Sequence, residues 1–228
     1  MVNYKNKHKG EDIYIIASGK SLDFIPKDFF NGKTLLGINQ AFNIIDCKYY
    51  VRKEAALLKE ILTNNACRHS HFFVSKHDGG LFRKKRKNKN RDIISSLPEA
   101  NNVTIYDTIN NIGHANILKR HINLDSEVMV ASTSTISTAI NIAAYMGAKN
   151  IILCGHDCKN INGECNASGY HSSDTYKIKH PSGEKGYAKW VRTLEKQTAQ
   201  MKKILKDSYN INVLSINPFV SLNMEGNI

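Results

Sequence analysis

The chain has 228 residues, a formal net charge of +12 and 41% hydrophobic residues. This length favours one compact α/β domain with a substantial core. No stretch approaches the roughly 18 apolar residues that a transmembrane helix needs. The five cysteines show no regular spacing, which favours a reducing compartment over a disulfide framework. Residues 1–10 are polar and lysine-rich, unlike a secretory signal, so we predict a single cytoplasmic domain over residues 1–228.

Short apolar runs alternate with helical patterns in chain order. The predicted strands cover residues 13–17, 34–38, 48–51, 70–75, 103–106, 128–130, 150–154 and 212–216. A short helix follows Ser21, and longer helices cover residues 53–62, 133–146 and 184–207. Gly147 closes the second of these longer helices. Strands alternating with helices predict an α/β fold, here a single Rossmann-like, doubly wound, mostly parallel sheet.

Two polar stretches interrupt this alternation. Residues 77–98 are predicted to form an irregular, basic loop. Residues 155–183 form a connection that is long for a compact fold, and connections of this kind are usually functional. We therefore predict that residues 155–183 form a polar lid.

The basic loop contains most of the unbalanced charge. Seven positive and no negative residues lie between Arg83 and Arg91. The simplest interpretation is a solvated loop that aids solubility. The alternative is a patch for an acidic glycan or an anionic membrane surface, which would hold the protein at the periphery of the inner membrane. No aromatic residue is interleaved for base stacking, so we expect no nucleic-acid partner. The sequence leaves a homo-oligomer open.

Small hydroxyl residues follow two of the predicted strands. Residues 12–16 run into Ala17-Ser18-Gly19-Lys20-Ser21-Leu22, and residues 128–130 run into Ala131-Ser132-Thr133-Ser134-Thr135. A third strand ends at Gly155-His156-Asp157. Backbone N–H groups at such junctions can hold an anion. Two junctions at the carboxyl edge of one sheet form a crevice for a phosphorylated ligand, so the pattern predicts a nucleotide site.

The same segments resemble a known superfamily. The matching residues are 15–22, 36–40, 132–134 and the run Ala143-Ala144-Tyr145-Met146-Gly147-Ala148-Lys149-Asn150-Ile151-Ile152-Leu153-Cys154-Gly155-His156-Asp157. One branch of the superfamily is the bacterial CMP-sialic acid-dependent sialyltransferases. The other branch is the 6-hydroxymethylpterin diphosphokinase-like proteins. The segments occur in the family's order over most of the chain.

The resemblance implies which residues would bind the nucleotide. The loop after the first strand approaches the CMP phosphate in the sialyltransferases, although here Lys20 stands where proline is usual. The asparagine after the second strand and the Thr-Ser pair that opens the small-residue helix also have counterparts. The implied nucleotide-binding residues are Ser18, Gly19, Lys20, Ser21, Asn39, Ser132, Thr133, Ser134, Gly155 and Asp157.

The resemblance also implies a catalytic mechanism. His180 fits the placement of the family's lid histidine, which acts as general base, and His171 is the second candidate. Tyr170 and Tyr176 lie in the region of the tyrosines that stabilise the leaving phosphate. The expected reaction is transfer of a sugar from a CMP-activated donor to a glycan hydroxyl. It would require no metal and no further cofactor.

Several of these residues have purely structural alternatives. Ser18-Gly19 could form only a tight turn, because lone glycine motifs are weak signals. Asn39 and the Ser132-Thr133-Ser134 segment could cap helices, and His180 could be a surface residue ahead of Pro181. Asp157 is the strongest single candidate, because a carboxylate at the carboxyl edge of a sheet usually lies in a ligand site.

Other functions remain open at this point. An ATP-dependent pterin diphosphokinase would need Mg²⁺ held by carboxylates, for which Asp157 and Asp174 are the nearest candidates. A protein of this fold could also bind a nucleotide or glycan without catalysis. A structural zinc site would use Cys154, His156, Cys158 and Cys165, but their spacing lacks the usual Cys-x2-Cys pair.

Overall fold

A computed structural model describes residues 1–52, 69–76, 102–110, 115–131, 134–170 and 183–217. Within these residues, eight strands form one sheet in which every pair is parallel. Helices flank the sheet, which confirms the predicted Rossmann-like α/β fold class. The predicted helix at residues 53–62 and the basic loop at residues 77–98 lie outside the described residues.

The observed strands coincide with the predicted ones. They are β1 (Asp12–Ile16), β2 (Thr34–Ile38), β3 (Tyr49–Arg52), β4 (His71–Ser75), β5 (Val103–Asn110), β6 (Val128–Ala131), β7 (Asn150–Cys154) and β8 (Asn212–Ser215). The described α-helices are α1 (Ala115–His121), α2 (Thr135–Tyr145) and α3 (Gly183–Tyr209). The helix predicted after Ser21 is the 3-10 helix Lys20–Phe24. α1 was not predicted from the sequence.

The order of the strands defines where a ligand crevice should lie. The sheet runs β6-β5-β4-β3-β2-β1-β7-β8. The chain therefore proceeds outward from β1 to β6 and then returns to the other side of β1 to form β7. In an open parallel sheet, ligands bind outside the carboxyl ends of the strands where the direction of winding reverses. Here that point lies between β1 and β7.

The alternation of side chains along the strands divides the core between the two faces of the sheet. Ile13 and Ile15 belong to an apolar cluster that includes residues of all three α-helices. Ile16 and Leu35 point into a second cluster, which is completed by the short 3-10 helices and by Tyr170. α2 is buried along its whole length because it crosses several strands. This burial explains its small, apolar sequence.

A ladder of polar side chains fixes the register at the amino edge of the sheet. Asp12, Asn150 and Asn212 are paired positions on β1, β7 and β8. Asn150 Nδ2 donates to Asp12 Oδ1 at 2.7 Å, and Asn212 Nδ2 donates to Asn150 Oδ1 at 2.7 Å. Lys206 of α3 donates to Asn212 Oδ1 at 2.9 Å. The ladder therefore connects the last helix to the first strand.

We expect Asn150→Ala to lower the free energy of unfolding by about 1 kcal/mol, because it removes two hydrogen bonds that are partly exposed to solvent. Urea denaturation measures this change. Asn3→Ala, which changes an exposed asparagine near the N-terminus, is the matched control. Equal stability of the two variants would show that the ladder contributes nothing to the sheet.

Candidate functional site

The loops after β1 and β7 are joined by one buried carboxylate. Asp157 Oδ2 accepts a hydrogen bond from the backbone N–H of Ser21 at 2.8 Å, and Oδ1 accepts one from the Ser21 hydroxyl at 2.5 Å. Asn217, which follows β8, donates its Nδ2 to Asp157 Oδ1 at 2.8 Å. Asp157 is only 4% exposed. The residue predicted to bind nucleotide therefore organises three loops at the carboxyl edge of the sheet.

Two glycines allow these loops to approach each other. The Gly19 N–H donates to the Gly155 carbonyl at 2.7 Å. A Cβ atom on Gly19 would lie 2.5 Å from both Asp157 Oδ2 and the Gly155 carbonyl oxygen, which is closer than van der Waals contact permits. Gly155 has a φ of +72°, and its Cβ position is 2.7 Å from Leu22 Cγ. Glycine is thus required at both positions by sterics.

Lys20 makes ion pairs rather than standing free in the crevice. Its ammonium group lies 2.8 Å from Asp23 Oδ2 and also contacts the Glu164 carboxylate. These hydrogen bonds, first with Asp23 and then with Glu164, raise the pKa of Lys20. Asp23 in turn accepts a hydrogen bond from the backbone N–H of Ser168 at 2.9 Å. Lys20 therefore fastens the β1 loop to residues 161–168, and its predicted contact with a phosphate stays a prediction.

The Tyr170 side chain contacts the loops that follow β1 and β2. Its hydroxyl donates to the Ile38 carbonyl at 3.3 Å and accepts from the Gln40 N–H at 3.3 Å. Burial raises the pKa of Tyr170 to about 12, while hydrogen bonding to Gln40 and to the side chains of Asn39 and Ser18 opposes this shift. Tyr170 is therefore a neutral phenol at physiological pH. Its oxygen lies between the β1 loop and the β2 loop, both of which contain predicted nucleotide-binding residues.

Asn39 connects this phenol to the N-terminus of α2. The Thr135 hydroxyl donates to Asn39 Oδ1 at 3.2 Å, and the Asn39 backbone is left-handed with a φ of +52°. Gln40 is the N-cap of the following 3-10 helix, so Asn39 does not act as its cap. Ser134 does cap α2, since its hydroxyl oxygen accepts from the Ile136 N–H at 3.5 Å. Ser134 is thus a helix cap and Asn39 is not, while the predicted contacts of both with a nucleotide stay predictions.

Two further residues at this edge, Arg52 and Asn217, were not predicted from the sequence. Arg52 ends β3, is 4% exposed and donates from Nη1 to the Asn39 carbonyl at 2.8 Å. Asn217 holds Asp157, as described above. A charged residue at the end of the apolar run Tyr49–Val51 was a usable signal for Arg52. For Asn217, the position directly after the last strand was the available signal.

The cysteines and histidine near β7 are buried or paired with neighbouring groups. His156 Nε2 lies 2.9 Å from Thr198 Oγ1 of α3 and 3.5 Å from Cys158 Sγ. Burial lowers the pKa of His156 to about 4 and raises the pKa of the Cys154 and Cys158 thiols to about 12.

The fourth residue of the zinc alternative, Cys165, instead contacts Asn160. In the described part of the chain, no group of three or more His, Cys, Asp and Glu residues is arranged to hold a metal ion.

The remaining predicted site residues lie outside the described residues and stay predictions. They are Ser132, Thr133, His171, Tyr176 and His180, together with Asp174 of the magnesium alternative and the basic run 83–91. Residues 155–170 of the predicted lid do contact the crevice, through Asp157, Tyr170 and the hydrogen bond from the Ala167 N–H to the Ser18 carbonyl at 2.8 Å. The lid as a whole remains a prediction.

Comparison with known proteins gives one structural similarity. No protein-family model matches the chain, and no curated protein matches its sequence. The fold is similar to that of the sialyltransferase CstII from Campylobacter jejuni, solved in complex with a substrate analogue, cytidine-5'-monophosphate. The two share 13% sequence identity with a TM-score of 0.49, over 94% of this chain and 83% of that one. Among the described helices, none is long and apolar enough to cross a membrane.

We expect Gly19→Ala to lower the free energy of unfolding by roughly 3 kcal/mol, the upper end of the usual cost of overpacking. The new methyl group would displace either Asp157 or the Gly155 carbonyl. Gly163→Ala is the control, because Gly163 has a φ of +81° with nothing within 4 Å of its Cβ position and should cost only about 1 kcal/mol. Chemical denaturation that ranks Gly163→Ala as the more damaging change would contradict the packing described here.

The depressed pKa of His156 predicts a loss of stability in acid. An unfolded histidine has a pKa of about 6.5, whereas folded His156 has one of about 4. Between these values the unfolded chain binds more protons, so stability is full above about pH 6.5 and falls as the pH drops towards 4.

His156→Gln should flatten this pH dependence, because the titrating group is gone. The partly buried histidine of α1, changed as His121→Gln, serves as the control. Free energies of unfolding measured at several pH values between 4 and 7 test the expectation. A slope that is the same in His156→Gln and in the parent protein would disprove it.

Proposed function

We propose that this protein is a glycosyltransferase that transfers a sugar from a CMP-activated donor to a glycan hydroxyl without a metal ion. The observation that carries the proposal is the hydrogen-bonded cluster of Ser18, Asn39 and Tyr170, with Thr135 beside it. These residues come from the β1 loop, the β2 loop, residues 155–170 and α2. They meet beside the switch point of the sheet, where nucleotides bind in folds of this class.

The cluster has the chemistry needed to stabilise a phosphate leaving group. When the bond between the sugar and CMP breaks, negative charge grows on the phosphate oxygens. A neutral phenol such as Tyr170, loop N–H groups near Gly19 and the N-terminus of α2 would stabilise that charge. Tyr176 is the second phenol that the family resemblance implies. The Tyr170 hydroxyl would turn from the Ile38 carbonyl to the phosphate, whereas the loop N–H groups are fixed by the backbone.

A base must remove the proton of the acceptor hydroxyl as the new bond forms. We assign this role to His180, with His171 as the second candidate, on the resemblance of the predicted lid to that of the sialyltransferases. An unperturbed histidine has a pKa of about 6.5 and can accept a proton near neutral pH. The proton passes from the acceptor oxygen to the imidazole, and the acceptor oxygen forms the new bond to the sugar.

The pterin diphosphokinase alternative is less well supported. Its magnesium ion would need carboxylate oxygens, but both oxygens of Asp157 accept hydrogen bonds from Ser21 or Asn217. Rearranging Asp157 towards a metal would release the loops that it joins. A non-catalytic nucleotide- or glycan-binding protein of this fold is the remaining alternative, and only a measurement of turnover separates it from a transferase.

The basic run from Arg83 to Arg91 fits a protein that acts near acidic partners. Its seven cations would attract an acidic glycan acceptor or the anionic inner surface of the membrane. The protein would then be cytoplasmic and peripheral.

A thermal-shift panel tests the choice of nucleotide. A ligand that binds only the folded state raises its melting temperature. We expect CMP and CMP-sugars to do so, and UDP, GDP, pterins, or ATP with Mg²⁺ not to. Stabilisation by ATP with Mg²⁺ and a pterin, without any effect of CMP, would favour the diphosphokinase. CMP binding without sugar release or transfer would favour the binding protein.

His180→Ala should lower turnover of a CMP-sugar by about 10²–10⁴-fold, the usual contribution of a general base. Its affinity for CMP should stay within about threefold of the parent, because the base contacts the acceptor rather than the nucleotide. His171→Ala is the matched control and should lose less activity. If activity falls only with His171→Ala, the base is His171; if neither change matters, the proposed mechanism is wrong.

A further inference from the structure

Arg52 places a buried positive charge at the crevice. It is the last residue of β3, at the carboxyl edge of the sheet, and only 4% of its surface is exposed. Its backbone carbonyl accepts a hydrogen bond from the buried Tyr106 hydroxyl at 3.1 Å, which anchors the residue. The guanidinium keeps its charge at every physiological pH. A charge in such a poorly solvated position acts more strongly on its neighbours than one in water.

The guanidinium also fixes the backbone of Asn39. Arg52 Nη1 donates to the Asn39 carbonyl at 2.8 Å, and Asn39 has the left-handed φ of +52°. Asparagine tolerates this conformation better than most residues, but it still needs support from its surroundings. With its backbone held, Asn39 accepts the hydrogen bond from Thr135 and contacts the Tyr170 hydroxyl.

The charge acts on the phenol as well. The Tyr170 hydroxyl contacts the Ile38 carbonyl and the Gln40 N–H, the residues on either side of Asn39, whose carbonyl binds Arg52. Burial raises the pKa of Tyr170, and the Arg52 charge is one of the causes that oppose this shift. A cation that favours the phenolate also makes the neutral phenol a stronger hydrogen-bond donor to an anion. If the Tyr170 hydroxyl turns from the Ile38 carbonyl to a phosphate, Arg52 can strengthen that hydrogen bond without contacting the phosphate.

Two described lysines near the carboxyl edge contact carboxylates. Lys20 pairs with Asp23 and Glu164. Lys76, which follows β4, lies 3.3 Å from Asp107 Oδ2, and both side chains are about half exposed. Exposed pairs of this kind have weak fields because solvent screens them. Among these three cations, the field of Arg52 is the least screened by solvent.

We propose that Arg52 is a positioning residue that makes this crevice selective for an anionic nucleotide over the uncharged nucleoside, by fixing Asn39 and by strengthening the Tyr170 hydroxyl as a donor. This inference rests on the proposed function for the identity of the ligand, which we take to be a cytidine monophosphate group. It concerns the residue that supplies the charge, which the family resemblance did not assign.

Calorimetric titration of CMP and cytidine into four forms of the full chain tests the inference. The forms are the parent protein, Arg52→Gln, Arg52→Lys and Lys76→Met. Glutamine keeps an N–H donor for the Asn39 carbonyl but loses the charge, whereas lysine keeps both. Lys76→Met removes a cation from the next strand along the same edge and is the matched control. The measured quantity is the ratio of the affinity for CMP to the affinity for cytidine.

In Arg52→Gln the ratio should fall about 10–100-fold, the range for a hydrogen bond strengthened by charge. Cytidine affinity itself should change by less than about threefold, since the nucleoside has no anion for the charge to act on. Arg52→Lys should keep at least about a tenth of the parent ratio, because its ammonium retains the charge. The ratio in Lys76→Met should stay within about twofold of the parent because its field is screened by solvent.

A merely structural role gives a different pattern and would overturn the inference. Arg52→Gln would then weaken CMP and cytidine equally, or the glutamine and lysine variants would have the same ratio. If Arg52→Gln does not fold, Arg52→Lys alone decides, because a collapse of the ratio with the charge retained contradicts the inference.

The same titrations separate this inference from the proposed function. An Arg52-dependent ratio without any sugar transfer would support the role of Arg52 and overturn the transferase. If the protein transfers sugar from a CMP donor but the ratio of CMP to cytidine affinity is the same in the Arg52 variants as in the parent, only the role of Arg52 is overturned. A parent protein that binds neither CMP nor cytidine would overturn both.

Discussion

The hydrogen bonds of Asp157 are the constraint on which the rest of the crevice depends. Its buried carboxylate receives the N–H and hydroxyl of Ser21 and the amide of Asn217. A buried carboxylate is costly unless its oxygens are satisfied, so the three loops must meet there for the fold to be stable. Their meeting brings Gly19 against Gly155 at the β1–β7 switch point, where the strand order predicts a ligand crevice. Stability and the geometry of the site therefore share one cause.

The two cations of the site, Lys20 and Arg52, differ in how deeply they are buried. Lys20 lies nearer the surface and is balanced by Asp23 and Glu164, so it joins the β1 loop to residues 161–168. Arg52 lies deeper, at the end of β3, and supports Asn39 and Tyr170. The large net charge of the chain is thus a poor guide to the site, because much of it resides in the run from Arg83 to Arg91.

The fold was predictable because parallel strands buried on both faces read as short, continuous apolar runs. Ile13–Ile16 and Ile151–Cys154 are of this kind. Gly155 directly follows the second run, and Gly19 lies three residues after the first. α1 escaped prediction because its seven residues end in Lys119-Arg120-His121 and offer too little apolar periodicity.

The site was only partly predictable, because pairing across the chain decides what a side chain does. The sequence placed Asp157 at the carboxyl edge, but its partner Asn217 is distant in the chain. Lys20 had the right charge for a phosphate, yet Glu164 contacts its ammonium from a segment far along the chain. The charge at the end of the apolar run Tyr49–Val51 marks Arg52 as unusual, but it does not indicate that the guanidinium reaches Asn39.

A crystal structure of the protein with bound CMP tests the central claim most directly. The account predicts the nucleotide at the carboxyl edge of β1 and β2, with a phosphate oxygen about 3 Å from the Tyr170 hydroxyl or from an N–H of the β1 loop. The Asp157–Ser21 and Arg52–Asn39 hydrogen bonds should persist in the complex. CMP bound elsewhere on the sheet, with the Tyr170 hydroxyl still donating to the Ile38 carbonyl, would contradict the account.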